Sequence, residues 1–163
     1  GPVDVGAIAR DAAALVAAHP DRKAGVSVDC ATPELPAVVQ GDDDLLHRAV
    51  FNLALNAVQA APARGHVRIE VMAATSDHLP TNIAFDRGAV ALRVTDDGPG
   101  IAPELRDRLF DPFFTTKPGG SGLGLAIVHR AIEAHRGVVF TDRAEGRTRF
   151  TVLLPRTPEG ELA

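Results

Sequence analysis

One helix constrains this chain more than any other feature. From Asp42 to about Ala61, the apolar residues Leu46, Ala49, Val50, Leu53, Ala57 and Ala60 recur at three- and four-residue spacing, which predicts a single buried face. Gly41-Asp42-Asp43-Asp44 supplies an N-cap and three negative charges where the helix dipole favours them, and Pro62 and Gly65 end the run. Asn52 and Asn56 stand one turn apart on a stripe beside the apolar face, and Gln59 extends it. Asn is a poor helix-interior residue because its amide competes for backbone hydrogen bonds. Two on one edge imply either a use for their carbonyl oxygens, as neutral ligands to a phosphate-bridging Mg²⁺, or a solvated or helix-bridging role.

The rest of the chain mixes helices and strands without strict βαβ alternation. A helix is expected over residues 4–19, on Val5, Ile8, Ala12, Leu15 and Val16, and another over 122–135, on Leu123, Ile127, Ala131 and Ile132, with Gly137 as its stop. Strands are expected over 26–31, 66–74, 89–95, 138–142 and 147–154, and a short helix from Pro103. Several of these strands are joined by short connections. The expected fold class is therefore α+β: a two-layer sandwich whose mixed, mostly antiparallel sheet is covered on one face by helices. Residues 1–163 are read as one domain, with 1–20 as an N-terminal helix and 156–163 as a polar tail. Gly1 and Pro2 carry no structural weight in this reading.

Two glycine-rich segments follow predicted elements. Thr95-Asp96-Asp97-Gly98-Pro99-Gly100 comes off a strand; Gly98 and Gly100 permit a tight reversal and the close approach of a flat ligand. Asp96, at the strand end, can accept a hydrogen bond from the exocyclic amine of a base, although an ordinary Asp/Gly turn has the same spelling. Gly119-Gly120-Ser121-Gly122-Leu123-Gly124 runs into a helix, where bare backbone N–H groups and the helix N-terminus can cradle an anion. No Lys-Ser/Thr pair follows, so this is not a Walker loop, and no strand directly precedes it, as a dinucleotide fingerprint requires. Between the two lies Phe110-Asp111-Pro112-Phe113-Phe114-Thr115-Thr116-Lys117. Its three Phe suit either a movable lid over a pocket, spanning 110–121, or a static anchor to the core.

Composition removes several classes. With 45% apolar and 23% charged residues, the chain reads as a soluble domain, and no apolar run approaches the roughly 18 residues of a membrane span. A net charge of −4 without a Lys/Arg stripe argues against nucleic acid as a partner, and no membrane contact is expected. Cys30 is the single cysteine, which excludes an internal disulfide and a Cys-based metal cage. Its context predicts a half-buried strand residue. The six His lack the paired spacing of a zinc helix.

In order, FNLALNAVQA, TDDGPGI, FDPFFTTK, GGSGLGLAIV and GRTRF resemble the N, G1, F, G2 and terminal G boxes of sensor histidine kinase ATP-binding domains. The resemblance spans roughly residues 42–155 and is closest in spelling to the nitrogen-regulation type. It implies the Bergerat α/β sandwich shared with gyrase, chaperone and mismatch-repair ATPases, and ATP and Mg²⁺ as ligands. It implies Asn56 and Asn52 as Mg²⁺ ligands and Asp96 as the adenine acceptor, with Gly98 and Gly100 shaping the base pocket. It also implies Gly120, Gly122, Leu123 and Gly124 along the phosphates, Thr148 facing the adenine, and Lys117 reaching a phosphate. Many such kinases carry a Lys where this chain has Gln59, which leaves Lys117 or Arg48 as substitutes. No His here has the context of a phosphoacceptor. The resemblance therefore implies, as partners, a separate dimerisation and phosphoacceptor domain and, through its His, a response regulator. The isolated chain is expected to be a cytoplasmic monomer, whether or not the whole kinase is membrane-anchored. Gyrase- and chaperone-like hydrolases usually carry a Glu one turn before the metal-binding Asn, where this chain has Asn52. A nucleotide-binding interaction module of the anti-sigma kind shares the fold but lacks the FDPFFTTK spelling.

Overall fold

The computed structural model describes residues 1–75, 79, 85, 88–112, 114 and 124–156. Its elements are β1 (Pro2–Asp4), α1 (Val5–Ala17), β2 (Ser27–Ala31), β3 (Val38–Gln40), α2 (Asp43–Ala60), β4 (His66–Ala73), β5 (Ala89–Asp96), α3 (Gly124–Ala134), β6 (Val138–Ala144) and β7 (Arg147–Pro155). The sheet order is β2-β4-β5-β7-β6, parallel only between β2 and β4.

Strand alternation decides which face the helices cover. Val67, Ile69 and Val71 of β4, Val90, Leu92 and Val94 of β5, and Phe150, Val152 and Leu154 of β7 form one apolar cluster with the buried faces of the helices. The expected α+β sandwich is the observed one. On the opposite face, Arg149 holds Asp142 with a two-pronged pair at 2.9 and 2.7 Å, and Arg93 Nε donates to Thr151 Oγ1.

Helix α2 lies between α1 and α3 and also meets β4 and β5. That central place buries Ala54 and Val58 beyond the predicted face, and leaves Ala60 half-buried. Asp42 is the N-cap, its side chain accepting from Leu45 N–H at 3.0 Å. His135, at the end of α3, donates from Nδ1 to the Ala131 carbonyl and accepts the Asp42 N–H at Nε2 (2.9 Å), joining the two helices. Cys30 is half-buried in β2, and burial pushes its thiol up against the opposing pull of Arg10 and Arg68.

Several expectations need correction. Leu15 is 58% and Ile127 36% exposed, because each stands at the flank of its helix, roughly 100° round from the centre of the buried face. The segment from Pro103 is a 3₁₀ helix, Pro103–Arg108, without a buried residue. Pro2 does carry structure: β1 pairs antiparallel with β3, and Gly41 N–H donates to the Gly1 carbonyl at 3.0 Å.

Candidate nucleotide site

Asp96 closes β5 and is 1% exposed. The register sets it opposite Thr148 of β7, itself 5% exposed, and Thr148 opposite Arg143 of β6. These three form a row across the same end of the sheet, and Asp96 and Thr148 lie on the helix-covered side by alternation. Asp96 Oδ1 accepts the Gly98 N–H at 2.7 Å, which turns the chain sharply after the strand. Asp97 fixes the same turn from outside, accepting from His66 N–H at 2.8 Å and pairing with Arg147 at 3.0 Å.

Glycine is required twice in this loop. A Cβ on Gly98 would stand 2.6 Å from Asp96 Oδ1 and 2.8 Å from the Ala60 carbonyl. At Gly100 the backbone takes φ +82°, and a Cβ would run into the Arg143 guanidinium. Gly98 therefore seats the loop directly on the last residue of α2.

That contact joins the loop to the Asn stripe. Arg48, Asn52, Asn56 and Ala60 follow one another at four-residue spacing, so the stripe that carries both amides ends at Gly98. Asn52 and Asn56 are half-buried and Arg48 is exposed, as residues lining a cleft would be. Gln59 does not continue the stripe. Its Nε2 donates to Asp21 Oδ2 at 2.8 Å, and its backbone carbonyl accepts from Lys23 Nζ at 2.7 Å.

Gly124, exposed, opens α3, and a Cβ there would meet nothing within 4 Å. Gly120, Gly122, Leu123 and Lys117 lie outside the described residues, as does most of the 110–121 segment. Of its three Phe, Phe110 is half-buried, stacked on His129 (5.5 Å between ring centroids, 26°) and edge-on to Phe150. Phe114 lies under the Arg108 guanidinium, 4.6 Å from its ring centroid. Phe110 thus anchors the start of the segment to the core.

Arg143 escaped the sequence reading. Its Nη1 donates to the Gly98 carbonyl (3.4 Å) and to Thr148 Oγ1 (3.3 Å), and its Nη2 to the Gly146 carbonyl (2.7 Å). The signal lay in the hairpin. Glu145 and Gly146 both have positive φ (54° and 77°), as a two-residue turn requires, and such a turn fixes Arg143 opposite Thr148.

Chemically, the row offers a buried carboxylate acceptor beside a hydroxyl, with two neutral amide oxygens further along the helix. Among the described residues no three His, Cys, Asp or Glu stand close enough to cage a metal ion. Neutral amide oxygens suit a hard cation that keeps water and shares its remaining positions with phosphates.

The family model for histidine kinase-, DNA gyrase B- and HSP90-like ATPases matches residues 41–158. The sensory histidine kinase/phosphatase NtrB of Rhizobium leguminosarum bv. phaseoli is 38% identical over 134 residues, covering 80% of this chain and 35% of that protein. This chain thus spans about a third of that relative's length. Among solved structures, the mycobacterial sensor histidine kinase MprB superposes with a TM-score of 0.78 at 31% identity, covering 97% of this chain and 98% of that one. Full-length ShkA, solved in complex with AMPPNP, superposes with a TM-score of 0.75 at 32% identity over 96% of this chain and 31% of its own. No helix among the described residues is long and apolar enough to cross a membrane. The chain belongs to the histidine kinase-, DNA gyrase B- and HSP90-like ATPase family, as a catalytic ATP-binding domain of the sensor histidine kinase kind.

Proposed function

We propose that this chain is the phosphoryl-donor half of a sensor histidine kinase, transferring the γ-phosphoryl group of ATP to a His on a separate phosphoacceptor domain. The observation that carries the proposal is the buried Asp96–Thr148 pair at the sheet end, joined through Gly98 and Ala60 to the Asn stripe of α2. A carboxylate buried there accepts the exocyclic amine of adenine, and the glycines leave room for the flat base. Asn52 and Asn56 would hold Mg²⁺ through their amide oxygens; when bound, it would neutralise charge on the triphosphate and orient the γ-phosphoryl group. Gly124 and the N-terminus of α3 give a phosphate partial positive charge to face, and Gly120, Gly122 and Leu123 would supply further backbone N–H groups to it. Lys117 or Arg48 supplies a cation to the phosphates, Arg48 from the turn before Asn52.

In the transfer, an imidazole nitrogen of the acceptor bonds to the γ-phosphorus as the bond to the β,γ-bridging oxygen breaks, and ADP leaves. The protein's part is positioning and charge stabilisation. Hydrolysis would ask for more, namely a carboxylate to activate water. Between Leu45 and Ala61 helix α2 has none. The response regulator takes the phosphoryl group from the acceptor His, and this domain works at the cytoplasmic side of any membrane.

The chain, mixed with a helical-hairpin phosphoacceptor domain from a nitrogen-regulation type kinase and γ-labelled ATP, should yield acid-labile, base-stable phosphate on the acceptor His. Rapid steady release of inorganic phosphate without an acceptor would favour a hydrolase instead.

A further inference from the structure

On the nucleotide reading of this site, on which the inference rests, we propose that Arg143 is a positioning residue for base recognition. It orients the Thr148 hydroxyl, turning its proton away from the guanidinium toward the base site beside Asp96, and its bonds to the Gly98 and Gly146 carbonyls hold the guanidinium in place for this. The planar guanidinium reaches acceptors in three separate segments: the Gly98 carbonyl after β5, the Thr148 hydroxyl in β7 and the Gly146 carbonyl in the turn. Only a rigid fork of donors can serve all three at once, and the shorter reach and single nitrogen of Lys cannot. Gly100 makes room for it, since a Cβ there would strike Arg143.

Direction follows from the donor inventory. Thr148 Oγ1 accepts from Arg143 Nη1, so its own single proton goes to another acceptor. The next residue along the row is Asp96, paired with Thr148 by the β5–β7 register and buried beside it. Asp96 Oδ1 accepts the Gly98 N–H, so a base seated against that carboxylate meets a Thr148 hydroxyl whose proton is turned away from Arg143. An acceptor at that place favours a purine bearing a 6-amino group and disfavours one bearing a 6-oxo group. Arg143 itself is exposed, so its removal leaves the core untouched.

The test displaces a fluorescent ATP analogue from the 163-residue chain with ATP and, separately, with GTP, with Mg²⁺ present. In Arg143→Ala, ATP should weaken about tenfold while GTP changes less than about twofold, so discrimination narrows. Arg143→Lys should stay near the Ala variant. In a Thr148→Val background, adding Arg143→Ala should cost little more, because the arginine acts through that hydroxyl. Equal thermal midpoints check that the variants fold. Unchanged ATP affinity, an equal loss for ATP and GTP, full recovery by Lys, or additivity with Thr148→Val would overturn the inference alone. A parent chain from which neither nucleotide displaces the probe would remove the nucleotide reading, and the inference with it.

Discussion

Gly98 is held between the Asp96 carboxylate and the last carbonyl of α2, with no room for a methyl group. Gly98→Ala should therefore cost about 1–3 kcal/mol of stability by overpacking and lower ATP affinity, since relief requires moving either the carboxylate or the helix end. Denaturant titration and calorimetry of the same sample check both outcomes. Asp142, on the far face, makes a different kind of contribution. The hydrogen bond from Arg149 holds its carboxyl below the ordinary 3.8, against the opposing effect of burial, with the charges of Arg149, Arg93 and Arg106 assisting. A depressed carboxyl stabilises the fold above its unfolded value, and the benefit is lost as pH falls through the folded value. With the Asp142 side chain 38% exposed, the gain is about 1 kcal/mol or less. Asp142→Asn should thus be slightly less stable than the parent at neutral pH and converge with it in acid; a constant gap down to the acid limit would contradict the assignment.

Helices α1 and α2 are tied by His47, whose Nε2 meets Asp11 Oδ2 at 3.1 Å while Nδ1 faces the Asp43 carbonyl. Burial lowers its affinity for a proton, but the bonds to Asp11 and Asp43 and their charges outweigh this, raising it above the ordinary 6.5. The sign is opposite to that of Asp142: the contribution is full below the unfolded value and disappears as pH rises through the folded one. The unfolding free energy from urea titration should therefore fall by a fraction of about 1 kcal/mol on passing to alkaline pH, and His47→Gln should flatten that slope. At this scale the sequence was legible wherever an element was long enough to show a period. The eighteen residues of α2 declared both its buried face and its Asp42 cap, whereas β1 and β3, three residues each, are too short to alternate. Leu15 and Ile127 fit a helical count yet stand on flanks, because spacing alone does not say how wide the covered face is. Arg143 required the hairpin register, and Glu-Gly is a quieter turn signal than Asn-Gly.

For the whole molecule, the α2 stripe, the Asp96 turn and the start of β7 come from segments spread over nearly a hundred residues, and the sheet order brings the last two together at one end of the sheet. Motif order in the sequence singled out Asn52, Asn56, Asp96, Gly98, Gly100 and Thr148 as candidates, and the fold sets Asp96 opposite Thr148 and Gly98 against Ala60. Only the fold reveals that Ala60 against Gly98 welds the helix to the loop. On the proposed function, ATP is gripped from these two sides. The most direct test is calorimetric titration of the chain with ATP, with and without Mg²⁺, alongside Asn56→Ala and Asp96→Ala. Both sites are polar positions outside the main apolar cluster, so both variants should stay folded, as circular dichroism would verify. Binding by the parent chain should depend on Mg²⁺ and weaken at least about tenfold in each variant. Parent-like affinity in both folded variants would contradict that grip.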